Sequence, residues 1–253
     1  MKVFFCIVTL IVSTAQGSGF NRVLQFPREV SLENYVMLQP DFNDIQEELT
    51  ICGWVQFYRT EGGRYWFSYA TGGGDNQILF GNQVNQQHFL GNPMPTDYYT
   101  KPLTTFTWYH TCFSWNAGSQ YEELYLNGDK VSERISAANS KLPTGGTLVL
   151  GQEQDTPGGG FALNQAFGGE IYGLQVFKRK LSGAEVEDMY KAGICNYPTP
   201  SEGVVIDWED FLDAQRYGKV EEISAGCSKW EILRNFVGQE ITPELISYFE
   251  ALL

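Results

Sequence analysis

Between residues 34 and 177, short stretches rich in aromatic and β-branched side chains alternate with clusters of Gly, Asn, Asp and Pro. This spacing leaves no room for a long helix, because each cluster supplies the backbone conformations of a turn. Strands are expected over residues 34–38, 49–58, 65–69, 77–81, 106–115, 122–126, 147–151 and 166–177. Asn127-Gly128 lies between Leu124-Tyr125-Leu126 and Lys130-Val131, and both residues tolerate the positive φ that a two-residue hairpin turn requires. Many short strands joined by frequent turns predict an all-β protein, a two-sheet antiparallel sandwich.

The pattern changes at Leu181. Ser182 can cap an opening helix, Glu185 stands where a capping box needs it, and Gly193 supplies the stop, so one short helix is expected here. After Cys227 the capping box recurs as Ser228-Lys229-Trp230-Glu231, and Thr242-Pro243 opens a segment whose Leu245, Ile246, Phe249, Leu252 and Leu253 share one helical face. A helical tail over residues 228–253 follows, docked on its own domain or on a neighbouring subunit.

Met1-Lys2, the apolar run from Val3 to Val12 and the small residues up to Gly17 have the three-part layout of a secretory signal peptide. The apolar run is shorter than the roughly 20 residues of a membrane-spanning helix. Residues 1–17 are therefore expected to be removed and the mature chain to be secreted and extracellular; a cut after Ala15 is equally permitted. Either cut takes away Cys6 and leaves Cys52, Cys112, Cys195 and Cys227, an even set in an oxidising compartment, so two disulfides are expected. Three connectivities are possible; pairing early with early and late with late suits one domain with a C-terminal clasp. The absence of a C-x-x-C spacing argues against zinc. With 30 acidic against 17 basic residues the net charge is −13, which repels nucleic acid and anionic membranes and favours cations or cationic partners.

Two acidic clusters lie in Gly-rich turns: Thr71-Gly72-Gly73-Gly74-Asp75-Asn76, and Gly151-Gln152-Glu153-Gln154-Asp155 followed by Thr156-Pro157-Gly158-Gly159-Gly160. Glu153 and Asp155 are two residues apart, so an extended backbone points both carboxylates to one side while the Gln154 carbonyl can turn inward. Hard oxygen donors of this kind suit calcium, though acidic loops are more often simply solvated turns.

His110-Thr111-Cys112-Phe113-Ser114-Trp115 resembles the signature of the pentraxin family, and Gly151-Gln152-Glu153-Gln154-Asp155 resembles that family's calcium loop. Ser68-Tyr69-Ala70-Thr71, Asp75-Asn76, Gly169-Glu170-Ile171 and the helix from Leu181 follow the family's order, so the resemblance covers residues 26–227. It implies a laminin-G-like jelly roll over residues 18–227, assembled as a cyclic homo-oligomer, with two adjacent calcium ions on one face that bridge to phosphate or phosphocholine ligands. Carried over by position, the first ion is held by Asp75, Asn76, Glu153, the Gln154 carbonyl and Asp155, and the second by Glu153, Asp155 and Gln165. Cys52 and Cys112 form the family's internal disulfide, and Cys195–Cys227 is an addition that clasps the tail.

The chain departs from the family at two informative places. Ala162 stands where a carboxylate normally binds the second calcium, so that site is expected to be weak or empty unless Asn164 or a bound anion substitutes, leaving one calcium site. Gly81 stands where an aromatic lines the phosphocholine methyl pocket, which puts choline recognition in doubt. The resulting expectation is a calcium-dependent pattern-recognition lectin of innate immunity, binding anionic, phosphate-bearing or carbohydrate ligands, with no membrane span and no catalysis. The alternative is an adhesion or matrix module with a degenerate calcium site. A glycosidase reading of Glu153 and Asp155 lacks a further acid to protonate a leaving group. His110 reads as a core residue, as do Trp54, Trp66, Trp108 and Trp115.

Overall fold

The computed structural model describes residues 22–43, 45, 47–83, 86–88, 103–119, 121–135, 142–196 and 202–227. The segments expected as signal peptide and helical tail lie outside these.

Two antiparallel sheets form a jelly-roll sandwich. The larger runs β14 (Glu221–Ser224), β1 (Arg22–Phe26), β11 (Gly169–Phe177), β3 (Glu48–Phe57), β7 (Trp108–Asn116), β8 (Tyr121–Leu126), β9 (Asp129–Ile135), with β12 (Val204–Ile206) also paired to β11. The smaller runs β13 (Gln215–Tyr217), β2 (Tyr35–Leu38), β10 (Thr147–Leu150), β4 (Gly63–Thr71), β5 (Gly74–Gln83), β6 (Gln86–His88). β8 and β9 are joined by the expected hairpin, with Asn127 at φ 51° and Gly128 at φ 83°.

Alternation along β3 explains how this sheet is used on both faces. Ile51 lies opposite Phe113 in the β3–β7 register, and Phe113 meets Phe80 of the smaller sheet at 5.8 Å between ring centroids, so these side chains form the inter-sheet core. Phe80 also packs on Trp66 and Phe67. Of the even-numbered positions, which face outward, Thr50, Cys52 and Trp54 are buried as well, beneath helix α1 (Gly183–Ala192). Thr50 accepts from Leu181 N and donates to the Arg179 carbonyl at the entry to that helix, and Trp54 approaches Tyr190 near its end. Cys52 and Cys112 are direct cross-strand partners on this covered face and are disulfide-bonded across a sequence separation of 60. Cys195 pairs with Cys227 across a separation of 32.

Ser182 and Glu185 cap α1 reciprocally, and Gly193 ends it at φ 70° with its N–H on the Tyr190 carbonyl. The helical content exceeds the single helix expected. A 3-10 turn (Ile194–Asn196) and a second helix, α2 (Trp208–Asp213), follow. α2 is set by an Asp207/Asp210 capping box and by burial of Trp208, Phe211 and Leu212, with Trp208 Nε1 donating to the Arg22 carbonyl at 2.8 Å.

Two expected strands are shortened at their starts by two residues or more. β7 begins at Trp108, because Phe106 takes a left-handed φ of 57°, donates its N–H to Phe57 O and stacks its ring on Tyr58. β11 begins at Gly169, since Ala166 instead bridges Tyr65 of the other sheet. β4 and β5 are longer than expected, meeting at a tight turn where Thr71 pairs with Gly74. As a result, Asp75 and Asn76 belong to a strand rather than to the turn itself.

Candidate metal centre

The loop after β10 crosses back over the smaller sheet, and its side chains divide by parity. Gln152 Nε2 donates to the carbonyls of Ser31 (2.8 Å) and Asn34 (3.0 Å). Gln154 Nε2 donates to Ser68 O (2.9 Å), Ser68 Oγ (3.1 Å) and Thr147 O (3.1 Å), while its Oε1 accepts from Gly158 N at 2.7 Å. Both glutamines are fully buried anchors, which leaves their odd-numbered neighbours to face the other way. Thr156 and Gly159 then exchange backbone hydrogen bonds. Gly160 is required where it stands: its φ is +75°, and a Cβ would come within 2.7 Å of Asp155 Cβ.

This anchoring holds Glu153 at 3% exposure beside β5. Burial, then repulsion from Asp155 and Asp75, raises its pKa to about 7, while hydrogen bonds from Asn76 and Gln165 partly oppose the rise. Asp155, Asp75, Asn76 and Gln165 are therefore the groups that act on Glu153, although they come from two loops and a strand; the carboxylate oxygens of Asp75, Glu153 and Asp155 do not all lie within 4.8 Å of one another. The Gln154 side-chain amide is consumed by the fold, which leaves only its backbone carbonyl for a metal.

The oxygen inventory fits a hard cation. Glu153 Oε2 and Asn76 Oδ1 are both buried without a hydrogen-bond partner, and a buried unsatisfied acceptor costs about 1–3 kcal/mol. Two further carboxylates, Asp155 and Asp75, act on Glu153, and no basic side chain is among the groups that shift it. A divalent ion would satisfy both orphaned oxygens and relieve the repulsion, and these residue types, all oxygen donors at irregular angles, are those calcium uses.

Around this cluster the structure adds what spacing could not reveal. Ala162 is part-exposed and offers no side-chain oxygen. Tyr65 lies directly across from Gly81 in the β4–β5 register, and a Cβ at Gly81 would fall 2.3 Å from Tyr65 Cδ1. The Tyr65 ring thus occupies the space beside Gly81, and burial followed by the nearby Glu153 charge pushes its hydroxyl up to about 12. No sequence signal announces this cross-strand placement of Tyr65 over Gly81.

A second group of metal-type side chains, Cys52, His110 and Cys112, is compact and buried. It is no metal site, because both sulfurs are consumed in the disulfide and thiolates are the binding form. Burial drives the His110 pKa down to about 3, so the imidazole is neutral, packed against Trp54 and Tyr190. Trp54, Trp66 and Trp115 are buried, and Trp108 packs part-buried on the core.

On the larger sheet, an open cleft of about 530 Å³ lies between β8, β9 and the start of α1. Its central acid, Glu123, accepts from Tyr125 (2.8 Å) and pairs with Lys180 (3.0 Å) and Lys130 (3.4 Å). Burial alone would raise its pKa, but the Tyr125 hydroxyl and Lys180 outweigh it and hold the carboxyl at about 2. That network is internally compensated, in contrast to the acids around Glu153.

The Pentaxin family profile matches residues 22–221. Pentraxin-4 of Homo sapiens is 34% identical over 184 residues, 68% of this chain and 37% of that protein. Neuronal pentraxin-1 of Homo sapiens is 33% identical over 72% of this chain and 39% of its own length, so the match spans well under half of these two relatives. C-reactive protein 1.1 of Limulus polyphemus is 26% identical over 82% of this chain and 87% of that protein. The native heptameric SAP-like pentraxin from Limulus polyphemus shares the fold with a TM-score of 0.61 at 22% identity, over 82% of this chain and 95% of that one. With the family profile extending across both sheets and the acidic loop between them, the chain belongs to the pentraxin family.

Proposed function

We propose that this chain is a secreted, calcium-dependent pattern-recognition lectin that binds anionic, phosphate-bearing or carbohydrate ligands through one calcium ion held by Asp75, Asn76, Glu153, Asp155, the Gln154 carbonyl and Gln165. The observation that carries this reading is the pair of buried, unpartnered oxygens, Glu153 Oε2 and Asn76 Oδ1, beside mutually repelling carboxylates. Calcium takes 6–8 oxygen ligands, and on a part-exposed site some of these come from water. An anionic oxygen of the ligand can replace such a water, which is how the ion would couple binding to the rest of the molecule.

The Tyr65 ring beside Gly81 supports ligands recognised through phosphate, carboxylate or sugar hydroxyl oxygens rather than through a quaternary ammonium group. Individual sites of this kind are weak, and a cyclic homo-oligomer would turn them into tight binding on a ligand-dense surface. Two disulfides suit an oxidising extracellular location. No helix among the described residues is long and apolar enough to cross a membrane. The role is binding rather than catalysis, since the paired acids are neighbours of amide and carbonyl oxygens that suit a metal, not a leaving group.

Calcium titration by calorimetry, with an Asp75→Ala variant alongside, tests this. Saturable binding of one ion, abolished by the substitution, is the expected result. Ala162 favours a second reading, an adhesion or matrix module with a degenerate site, and wild-type protein that takes up no calcium would select it.

A further inference from the structure

We infer that Arg64 is a fixed internal cation that orders the turn carrying Gln165, so that this turn is held ready without help from a metal ion. Arg64 Nη1 donates to the backbone carbonyls of Asn164 (3.0 Å), Ala166 (3.3 Å) and Leu163 (3.4 Å). The one intervening carbonyl, of Gln165, accepts from Tyr65 N at 3.0 Å. Four successive carbonyls of the turn are therefore received by two successive residues of β4.

The turn itself is tight. Gln165 N donates to Ala162 O at 2.9 Å and Ala166 N to Leu163 O at 3.4 Å, which leaves its carbonyls converging on one side, as at the last turn of a helix. A cation is the complementary charge at such an end, and arginine presents it in a planar fork. Arg64 is only 7% exposed, and its Nε has no hydrogen-bond partner among the described residues. A guanidinium held so far from water persists because the carbonyl dipoles compensate it; burial lowers its pKa, yet an arginine stays charged at any physiological pH.

The arrangement bears on the neighbouring acids in two ways. It fixes where Gln165 stands relative to Glu153, to which its side chain donates. It also commits the backbone oxygens of residues 163–166 to β4, so the turn offers an ion only side-chain oxygens, those of Asn164 and Gln165, just where Ala162 lacks a carboxylate. Arg64 is a positioning residue here, and the inference leans on the calcium reading only for the role given to Gln165.

Hydrogen exchange on the full secreted chain, read at the amides of residues 162–166 with calcium and with EDTA, tests the idea. The wild-type turn should keep its protection within about threefold between the two conditions. In EDTA, Arg64→Met should speed exchange there by about tenfold or more while strands distant from the turn keep theirs, and Arg64→Lys should restore part of the loss. A wild-type turn that loses protection in EDTA overturns the inference, as does an Arg64→Met turn that exchanges like wild type. If Arg64→Met does not fold, Arg64→Gln, which keeps a donor but no charge, takes its place with the same expected and overturning results. Protection that depends on Arg64 in a protein that binds no calcium would leave this inference standing and sink the proposed function instead.

Discussion

Glu153 is where burial and charge conflict most sharply. Its pKa of about 7 in the metal-free protein lies above the ordinary 4.5, so the folded chain holds this proton more tightly than the unfolded chain does. The group's stabilisation is complete below about pH 4.5 and is lost as pH rises through about 7. The metal-free melting temperature should therefore fall between pH 5 and pH 8. Calcium selects the ionised carboxylate, so its affinity should be lower at pH 6 than at pH 8, with proton release visible as a buffer-dependent heat. A calcium affinity that is flat across this window would contradict the assignment. Glu153→Gln removes the charge while keeping the shape. At pH 8 without calcium it should raise the melting temperature by about 2–4 °C, the shift that roughly 1 kcal/mol produces in a domain of this size, while weakening calcium binding at least about a hundredfold. Ala162→Glu should do the opposite in calorimetry, taking the stoichiometry from one ion to two by supplying the missing carboxylate.

At the scale of elements, the two disulfides sit in different surroundings and should respond differently to reductant. Cys52 and Cys112 are fully buried under α1, whereas Cys195 and Cys227 are half-buried beyond its end. Mild reduction followed by alkylation and mass mapping should therefore label Cys195 and Cys227 first, with the cross-strand pair labelled only when the sandwich opens. Loop closure by either bridge contributes about 4 kcal/mol in the chain-entropy model. Cys195→Ser should lower the melting temperature without abolishing the fold, since β14 remains hydrogen-bonded to β1 from Arg22 to Gln25. Equal labelling of both pairs at the lowest reductant concentration would show that α1 does not shield the inner bridge.

Across the whole molecule, function depends on how the two sheets are loaded. The acids around Glu153 ride on the smaller sheet, and α1, α2 and the compensated Glu123 cleft ride on the larger. One sheet can thus carry ligand contacts while the other is occupied by helices. If the chain assembles as a closed ring with sites aligned on one side, calcium-dependent binding to a surface dense in phosphate groups should exceed binding of the same free ligand by about 10²–10⁴. Native mass spectrometry checks the ring, and surface plasmon resonance at graded ligand density checks the gain. Affinity that does not vary with density would assign these proteins to one-site binding.

Much of this was legible from the residues in order. Turn clusters and alternation set out the strands, because the period of two and the φ demands of Asn127-Gly128 are local. Ser182, Glu185 and Gly193 marked α1 for the same reason, and the residue types of Glu153, Asp155, Asp75 and Asn76 pointed to hard-cation chemistry before any coordinates. α2 was missed although Asp207 and Asp210 form its capping box, since six residues are too few for a helical period to stand out. Tertiary structure alone decided which of these groups meet. Arg64 reaches carbonyls about a hundred positions away, Tyr65 fills the space over Gly81 across a strand pair, and Ala166 leaves the expected strand to bridge the opposite sheet. Local propensity cannot encode such contacts, because they depend on sheet register and on which side of a turn the backbone oxygens face, and both are fixed only when the two sheets close on each other.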